Sequence, residues 1–274
     1  MRTQDPANVS SPGFLHAKAW AEAYELIDLQ LSPLGLKPIE ALGLDLRDVV
    51  LDVGCGTGQT LLQLAERVGA EGQVIGVDVS PLLLEIAKQR TEPLGQVRLI
   101  RADAQFLDLP FECVDAVFSR FGVMSFSDPV AAFANFRRIL KPSGALAFSC
   151  WRSLRDNELD HLPLTAAGIQ ATVDESPFSF ADPEYIRRTL EAAGFREIVI
   201  QSHDEKVSSG DLDATTWVLL NVGPLGKLIR ENPVLRATAE PRLRNALAAL
   251  GDPSRVQLSA SIWIVTARAG AAIR

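Results

Sequence analysis

Asp52, Gly54, Gly56 and Gly58 stand at alternate positions between the apolar run Val49-Val50-Leu51 and the amphipathic stretch Thr60-Leu61-Leu62-Gln63-Leu64-Ala65-Glu66-Arg67-Val68. A short apolar run that turns through closely spaced glycines into a helical period predicts strand, tight loop and helix. Glycines let the backbone turn sharply and approach a ligand closely, and the following helix presents unpaired N–H groups at its positive end. The chemistry is that of binding, at a corner suited to a nucleotide-like molecule. Two details narrow the ligand. With Gly54 and Gly56 as the first glycines of the dinucleotide spacing G-x-G-x-x-G, the third position is Gln59, and Gly58 falls one residue early. Asp52 puts a carboxylate at the mouth of the loop, where it repels a pyrophosphate and favours an ammonium or a sulfonium.

S-adenosylmethionine carries both of those cations and no phosphate. The run Leu51-Asp52-Val53-Gly54-Cys55-Gly56-Thr57-Gly58 resembles motif I of the class I S-adenosylmethionine-dependent methyltransferases. Over about residues 48 to 151 the chain is similar to their ubiquinone/menaquinone C-methyltransferase-like group. The resemblance implies S-adenosylmethionine as cofactor, a small-molecule acceptor, and Asp52, Gly54, Cys55, Gly56 and Gly58 as the cofactor loop. A second strand, Gln73-Val74-Ile75-Gly76-Val77-Asp78-Val79, ends in a carboxylate. An acid about 20 residues past the glycines, on the adjacent strand end, is placed to bind ribose hydroxyls, which assigns Asp78, with Val79 beside it, to that contact. Ser80-Pro81 then opens a helix as N-cap and first residue.

After a third strand, Gln96 to Arg101, the resemblance implies that Asp103 accepts from the adenine amino group and that the Ala104 backbone faces a ring nitrogen, with Gln105 alongside. A fourth strand, Cys113 to Phe118, leads into Ser119-Arg120-Phe121-Gly122-Val123-Met124, where the methyl group is expected to emerge. Ser119 and Arg120 are candidates for the methionine portion, Arg120 by pairing its carboxylate. Phe121 and Met124 are candidates for an apolar wall beside the methyl. The chain lacks the Asn/Asp-Pro-Pro-aromatic tetrapeptide of methyltransferases that act on amino groups of DNA bases or glutamine.

Residues 1–13, polar and rich in Ser and Pro, are expected to be mobile. Ala17, Trp20, Ala21, Tyr24, Ile27 and Leu31 recur at helical spacing and predict a helix over Phe14 to Leu31. In related methyltransferases a helix ahead of motif I often covers the methionine end of the cofactor, which implies that role for Trp20 or Tyr24. Asp128-Pro129 opens a further helix, and Ala145 to Trp151 reads as a fifth strand. Beyond it, Asp182-Pro183 starts a helix ending at Gly194, Glu197 to Gln201 reads as a strand, Leu212 to Leu250 as interrupted helix, and Gln257 to Ala267 as the last strand. The expected fold is α/β: a doubly wound, seven-stranded, mostly parallel sheet, Rossmann-like, with a helical cap inserted near the C-terminus. The expected organisation is a single domain with an N-terminal helical cover (14–47), a cofactor-binding core (48–151) and a segment (152–274) that completes the sheet and carries the cap. The acceptor is expected between the sheet's C-terminal edge and the cap, where Trp151 and Trp217 are candidate contacts.

Methyl transfer from a sulfonium is an in-line displacement that asks chiefly for collinear positioning in a dry pocket. Were a base needed, His161 is the best located. No metal is expected. Cys55, Cys113 and Cys150 are widely spaced and lack a ligand or C-x-x-C arrangement, which points to reduced thiols in a cytoplasmic protein. A net charge of −7 gives no general attraction for nucleic acid or anionic membrane. No apolar run approaches the ~20 residues that span a bilayer. A homodimer is left open. The rival readings are a protein or RNA methyltransferase and a noncatalytic S-adenosylmethionine-binding module.

Overall fold

The computed structural model describes residues 12–169 and 174–270. Along the chain run α1 (Pro12–Leu42), β1 (Val49–Val53), α2 (Gln59–Val68), β2 (Gln73–Asp78), α3 (Pro81–Thr91), β3 (Val97–Arg101), β4 (Val114–Arg120), α4 (Pro129–Ile139) and β5 (Leu140–Trp151). After them come α5 (Glu158–Ala167), α6 (Pro183–Ala192), β6 (Phe195–Val207), α7 (Leu212–Asn221), α8 (Gly223–Glu231), α9 (Arg236–Ala248) and β7 (Leu258–Ala269). They group into two compact units. The first takes its described residues from Met1–Leu31, Leu154–Asp174 and Glu205–Ala260; the second takes them from Ser32–Ser153, Glu175–Asp204 and Ser261–Arg274. Residues 1–11, most of the segment expected to be mobile, lie outside the described residues, and Pro12 and Gly13 already belong to α1.

The second unit is built on a seven-stranded sheet of order β3-β2-β1-β4-β5-β7-β6. β1 pairs in parallel with β2 and β4, β2 with β3, and β4 with β5. β7 runs antiparallel to β5, from Ala145 opposite Arg268 to Trp151 opposite Ile262. The doubly wound, mostly parallel sheet read from the sequence is therefore present. Alternation along each strand supplies both faces. Leu51, Val53, Ile75 and Val77 enter one core cluster with Phe133, Phe136 and Phe148, while Val50, Val74, Ala116 and Phe118 enter another with Leu61, Leu64 and Val68. Phe133 meets Phe136 edge-on, with ring centroids 5.8 Å apart.

The start signals hold in detail. Ser80 Oγ accepts from the Leu83 N–H at 3.3 Å, and Asp128 Oδ1 accepts from the Ala131 N–H at 3.0 Å; Pro81 and Pro129 follow them. At the opposite ends of the strands, Asp115 accepts from the Val49 N–H at 2.9 Å and from Lys141 Nζ at 2.7 and 2.8 Å, which ties the beginnings of β1, β4 and β5.

Three elements run longer than their sequence signals. α1 passes through Pro33 and Pro38, normally helix breakers, because Leu34, Ile39 and Leu42 continue the buried stripe. β5 begins at Leu140, but its register shifts opposite β4 and Ser143 has φ 64°, so the pairing expected from Ala145 is the regular part. β6 extends from Phe195 to Val207 as a polar strand at the end of the sheet order, and its exposed side chains mute the apolar period.

The first unit is helical: the start of α1 with α5, α7, α8 and α9. Glu158 at the start of α5 accepts from the Ser259 N–H at 2.8 Å and from Lys206 at 3.3 Å, and Asp211 caps α7 by accepting from the Ala214 N–H at 2.8 Å. Arg242 of α9 donates to the Ala167 carbonyl at the end of α5, at 3.1 Å. Among the described residues no helix is long and apolar enough to cross a membrane.

Candidate active site

The glycine turn between β1 and α2 lies in the second unit. Gly54, Gly56 and Gly58 all have left-handed φ, of 72°, 54° and 88°. A Cβ on Gly54 would stand 2.8 Å from the Gly122 Cα, and one on Gly122 would stand 2.4 Å from the Val53 carbonyl. The loops after β1 and β4 thus touch backbone to backbone, a contact only glycine permits. A Cβ on Gly56 would meet nothing within 4 Å, so this glycine faces open space. Gly58 begins α2 without a side-chain cap, which leaves the first-turn N–H groups of that helix uncapped by protein side chains.

Around the turn the carboxylates are placed by the strands. Asp78, at the end of β2, accepts from the Gly56 N–H through Oδ2 at 2.9 Å and from the Ser80 N–H through Oδ1 at 2.8 Å. Burial raises its pKa, and the N–H groups of Ser80 and Gly56 oppose that rise. Asp52 is wholly buried. Its Oδ2 accepts from Thr60 Oγ1 at 2.5 Å, whereas its Oδ1 has no hydrogen-bond partner. Burial pushes its pKa up to about 7, against the lowering effects of the Thr60 bond and the Arg120 charge and with a further push from Asp78. A buried carboxylate oxygen left unpaired is costly, and a cationic ligand would offset that cost. Together with the open face of Gly56, this orphaned oxygen makes the turn fit S-adenosylmethionine.

Other expected site residues have structural partners. Ser119 is buried; its Oγ donates to the Val53 carbonyl at 2.7 Å and accepts from the Gly122 N–H at 3.1 Å, so it braces the two touching loops. Arg120 donates to Gln59 Oε1, and its Cδ stands 3.0 Å from where a Gly35 Cβ would be. Cys55 is buried, and burial holds its thiol well above the usual range. Asp103 is exposed and accepts from the Gln105 N–H at 2.9 Å, in a 3-10 turn over Ala104–Phe106. Gln105 is buried, and its Oε1 accepts from Ser127 Oγ and the Asp128 N–H, both at 3.1 Å. Val79, by contrast, is 63% exposed and presents an apolar surface beside Asp78.

Phe121 and Trp151, at the ends of neighbouring β4 and β5, are brought together: their rings stack with centroids 4.0 Å apart and 10° between planes. Phe121 adopts φ 63°, a conformation unfavourable for a residue with a side chain, and its N–H donates to the Ser149 carbonyl at 3.0 Å. Met124 is buried in the core cluster against which Phe121 packs, and its carbonyl accepts from Ser179 Oγ at 2.8 Å.

Trp20, His161 and Trp217 belong to the first unit, on α1, α5 and α7, and each is half-buried there. The sequence did not single out Gly122, whose role depends on a loop 68 positions before it, nor Arg90, which donates to the Thr57 carbonyl at 3.0 Å and steadies the glycine turn. It also passed over Asp160, the buried neighbour of His161.

A family model described as a methyltransferase domain matches residues 50–144. The chain is 30% identical over 171 residues to the demethylmenaquinone methyltransferase of Staphylococcus saprophyticus, covering 56% of this chain and 72% of that relative. It is 43% identical over 103 residues to the 2-phytyl-1,4-naphtoquinone methyltransferase of Trichormus variabilis, covering 36% of this chain and 45% of that one. The solved YcgJ protein of Bacillus subtilis shares the fold, with a TM-score of 0.59 at 18% identity over 87% of this chain and 98% of its own. The motif turn, the strand order and these relatives agree: the chain belongs to the class I S-adenosylmethionine-dependent methyltransferases, enzymes that take the methyl group from that cofactor.

Proposed function

We propose that this enzyme methylates a small fused-ring hydroxylated acceptor of the naphthoquinol type. The names of the two quinone methyltransferase relatives support that choice of acceptor. In this reading Asp52, Gly54, Cys55, Gly56 and Gly58 surround the methionine part of the cofactor. Asp78 and Val79 take the ribose, and Asp103, Ala104 and Gln105 take the adenine. Ser119 and Arg120 hold the loop that faces the methionine group. The observation that carries the reading is the buried Asp52 carboxylate with one oxygen unpaired at the glycine turn.

The bound sulfonium supplies an electrophilic methyl carbon; the chain supplies binding, orientation and dryness. Asp52 balances positive charge from within the protein. The stacked Phe121 and Trp151 form an apolar wall that excludes water, backed by the cluster that holds Met124. Trp217 and His161, both of the first unit, are the candidates for an acceptor contact and for a base where the acceptor needs one. The enzyme works in the cytoplasm, without nucleic-acid or membrane partners, alone or as a homodimer. The net charge of −7 supports the absence of polyanionic partners.

Calorimetry with S-adenosylhomocysteine and with NADH tests the donor site. The wild-type protein should bind the former and not the latter. Asp78→Ala and Gly56→Val should each lose the affinity while circular dichroism stays native. Tight NADH binding, or unchanged affinity in both variants, would overturn the assignment of the turn.

A further inference from the structure

Asp160 is a buried acid for which the proposed chemistry has no use. It sits in the first turn of α5, only 8% exposed, and its Oδ2 has no hydrogen-bond partner. Its Oδ1 lies 3.3 Å from the position a Cβ would take on Gly223, a residue at φ 73°. The carboxylate therefore faces the beginning of α8. That beginning has no side-chain cap, and Pro224 in its first turn has no N–H to give. Burial alone drives the Asp160 pKa up, to about 7.

An isolated buried carboxylate weakens a fold unless something pairs with it, and such groups concentrate where ligands bind. The group that suits both halves of this arrangement is a hydroxyl, which can donate to the carboxylate and accept from a helix N–H at once. An ammonium would satisfy Asp160 but would meet the positive end of α8. We propose that Asp160 and the first turn of α8 form the binding point for a hydroxyl of the methyl acceptor. This rests on the reading of the enzyme as a methyltransferase of hydroxylated fused rings.

The test compares binding of 1,4-naphthohydroquinone and of its dimethyl ether, 1,4-dimethoxynaphthalene, under anaerobic conditions with S-adenosylhomocysteine present. The wild-type protein should prefer the hydroquinone by about tenfold or more, the effect of one hydrogen bond to a charged group. Asp160→Ala should erase the preference and Asp160→Asn should keep part of it. Both should retain wild-type affinity for S-adenosylhomocysteine and melt at or above the wild-type temperature. If Asp160→Ala keeps the full preference, the inference is overturned while the methyltransferase reading stands. If the wild type binds neither probe, or both equally, the inference fails together with the choice of acceptor. Intact S-adenosylhomocysteine binding then still separates that failure from a failure of the donor site.

Discussion

The role proposed for Asp52 would make cofactor affinity depend on pH. The Asp52 carboxyl titrates near 7 in the folded protein, against 3.8 without the surrounding burial. Between those values the folded state holds a proton that the unfolded state has released. Without ligand, this group therefore favours folding at low pH, and its contribution is lost as pH rises towards 7. A cationic ligand binds best to the ionised form, so the two effects have opposite signs. Affinity for S-adenosylmethionine should rise between about pH 6 and pH 8 and then level off, and Asp52→Asn should flatten that profile. Calorimetry across that range decides it; a flat wild-type profile would remove Asp52 from the role. Phe121 makes a second claim. Phe121→Gly and Phe121→Ala both lose the stack on Trp151, but only Ala retains a Cβ at φ 63°. Urea unfolding should find the Gly variant more stable than the Ala variant by about 1 kcal/mol. Equal midpoints would show that the left-handed conformation carries no strain.

The strands are held at both ends by different devices. At the end away from the glycine turn, Asp115 serves one backbone N–H and one lysine, and its side chain is 27% exposed while that of Lys141 is 44% exposed. At that exposure the ion pair contributes little, and the bond to the Val49 N–H matters more. Asp115→Ala should cost about 1–2 kcal/mol in urea unfolding, and Lys141→Met distinctly less. A larger loss for Lys141→Met would reverse that ranking. Such cross-strand ties explain which parts of the fold could be read beforehand. β1, β2 and β4 are buried runs bounded by turns and caps, so periodicity and Ser80, Pro81, Asp128 and Pro129 mark them locally. Asp78 was legible for the same reason, as an acid at a strand end. The length of α1 was not, because Pro33 and Pro38 are local break signals overruled by buried Leu34 and Ile39. Nor were the bracing roles of Ser119 and Gln105, since each depends on a partner remote in sequence.

The division into two units joins three separated stretches of chain into the first and three into the second, a grouping that no local signal carries. Hydrogen exchange can read each unit by itself. S-adenosylhomocysteine at about 100 times its dissociation constant stabilises the bound form by ~2.7 kcal/mol, enough to slow exchange about a hundredfold wherever opening releases the ligand. Protection should appear at residues 53–59, 77–80 and 119–122, where the backbone N–H groups of Gly54, Gly56, Ser80 and Gly122 hold the turn. Adding 1,4-naphthohydroquinone should extend it to residues 158–161 and to the start of α8, around Gly223 and Leu225. Were the donor analogue to protect only the starts of α5 and α8, and leave the glycine turn exchanging at its free rate, the proposed donor and acceptor sites would have to be exchanged.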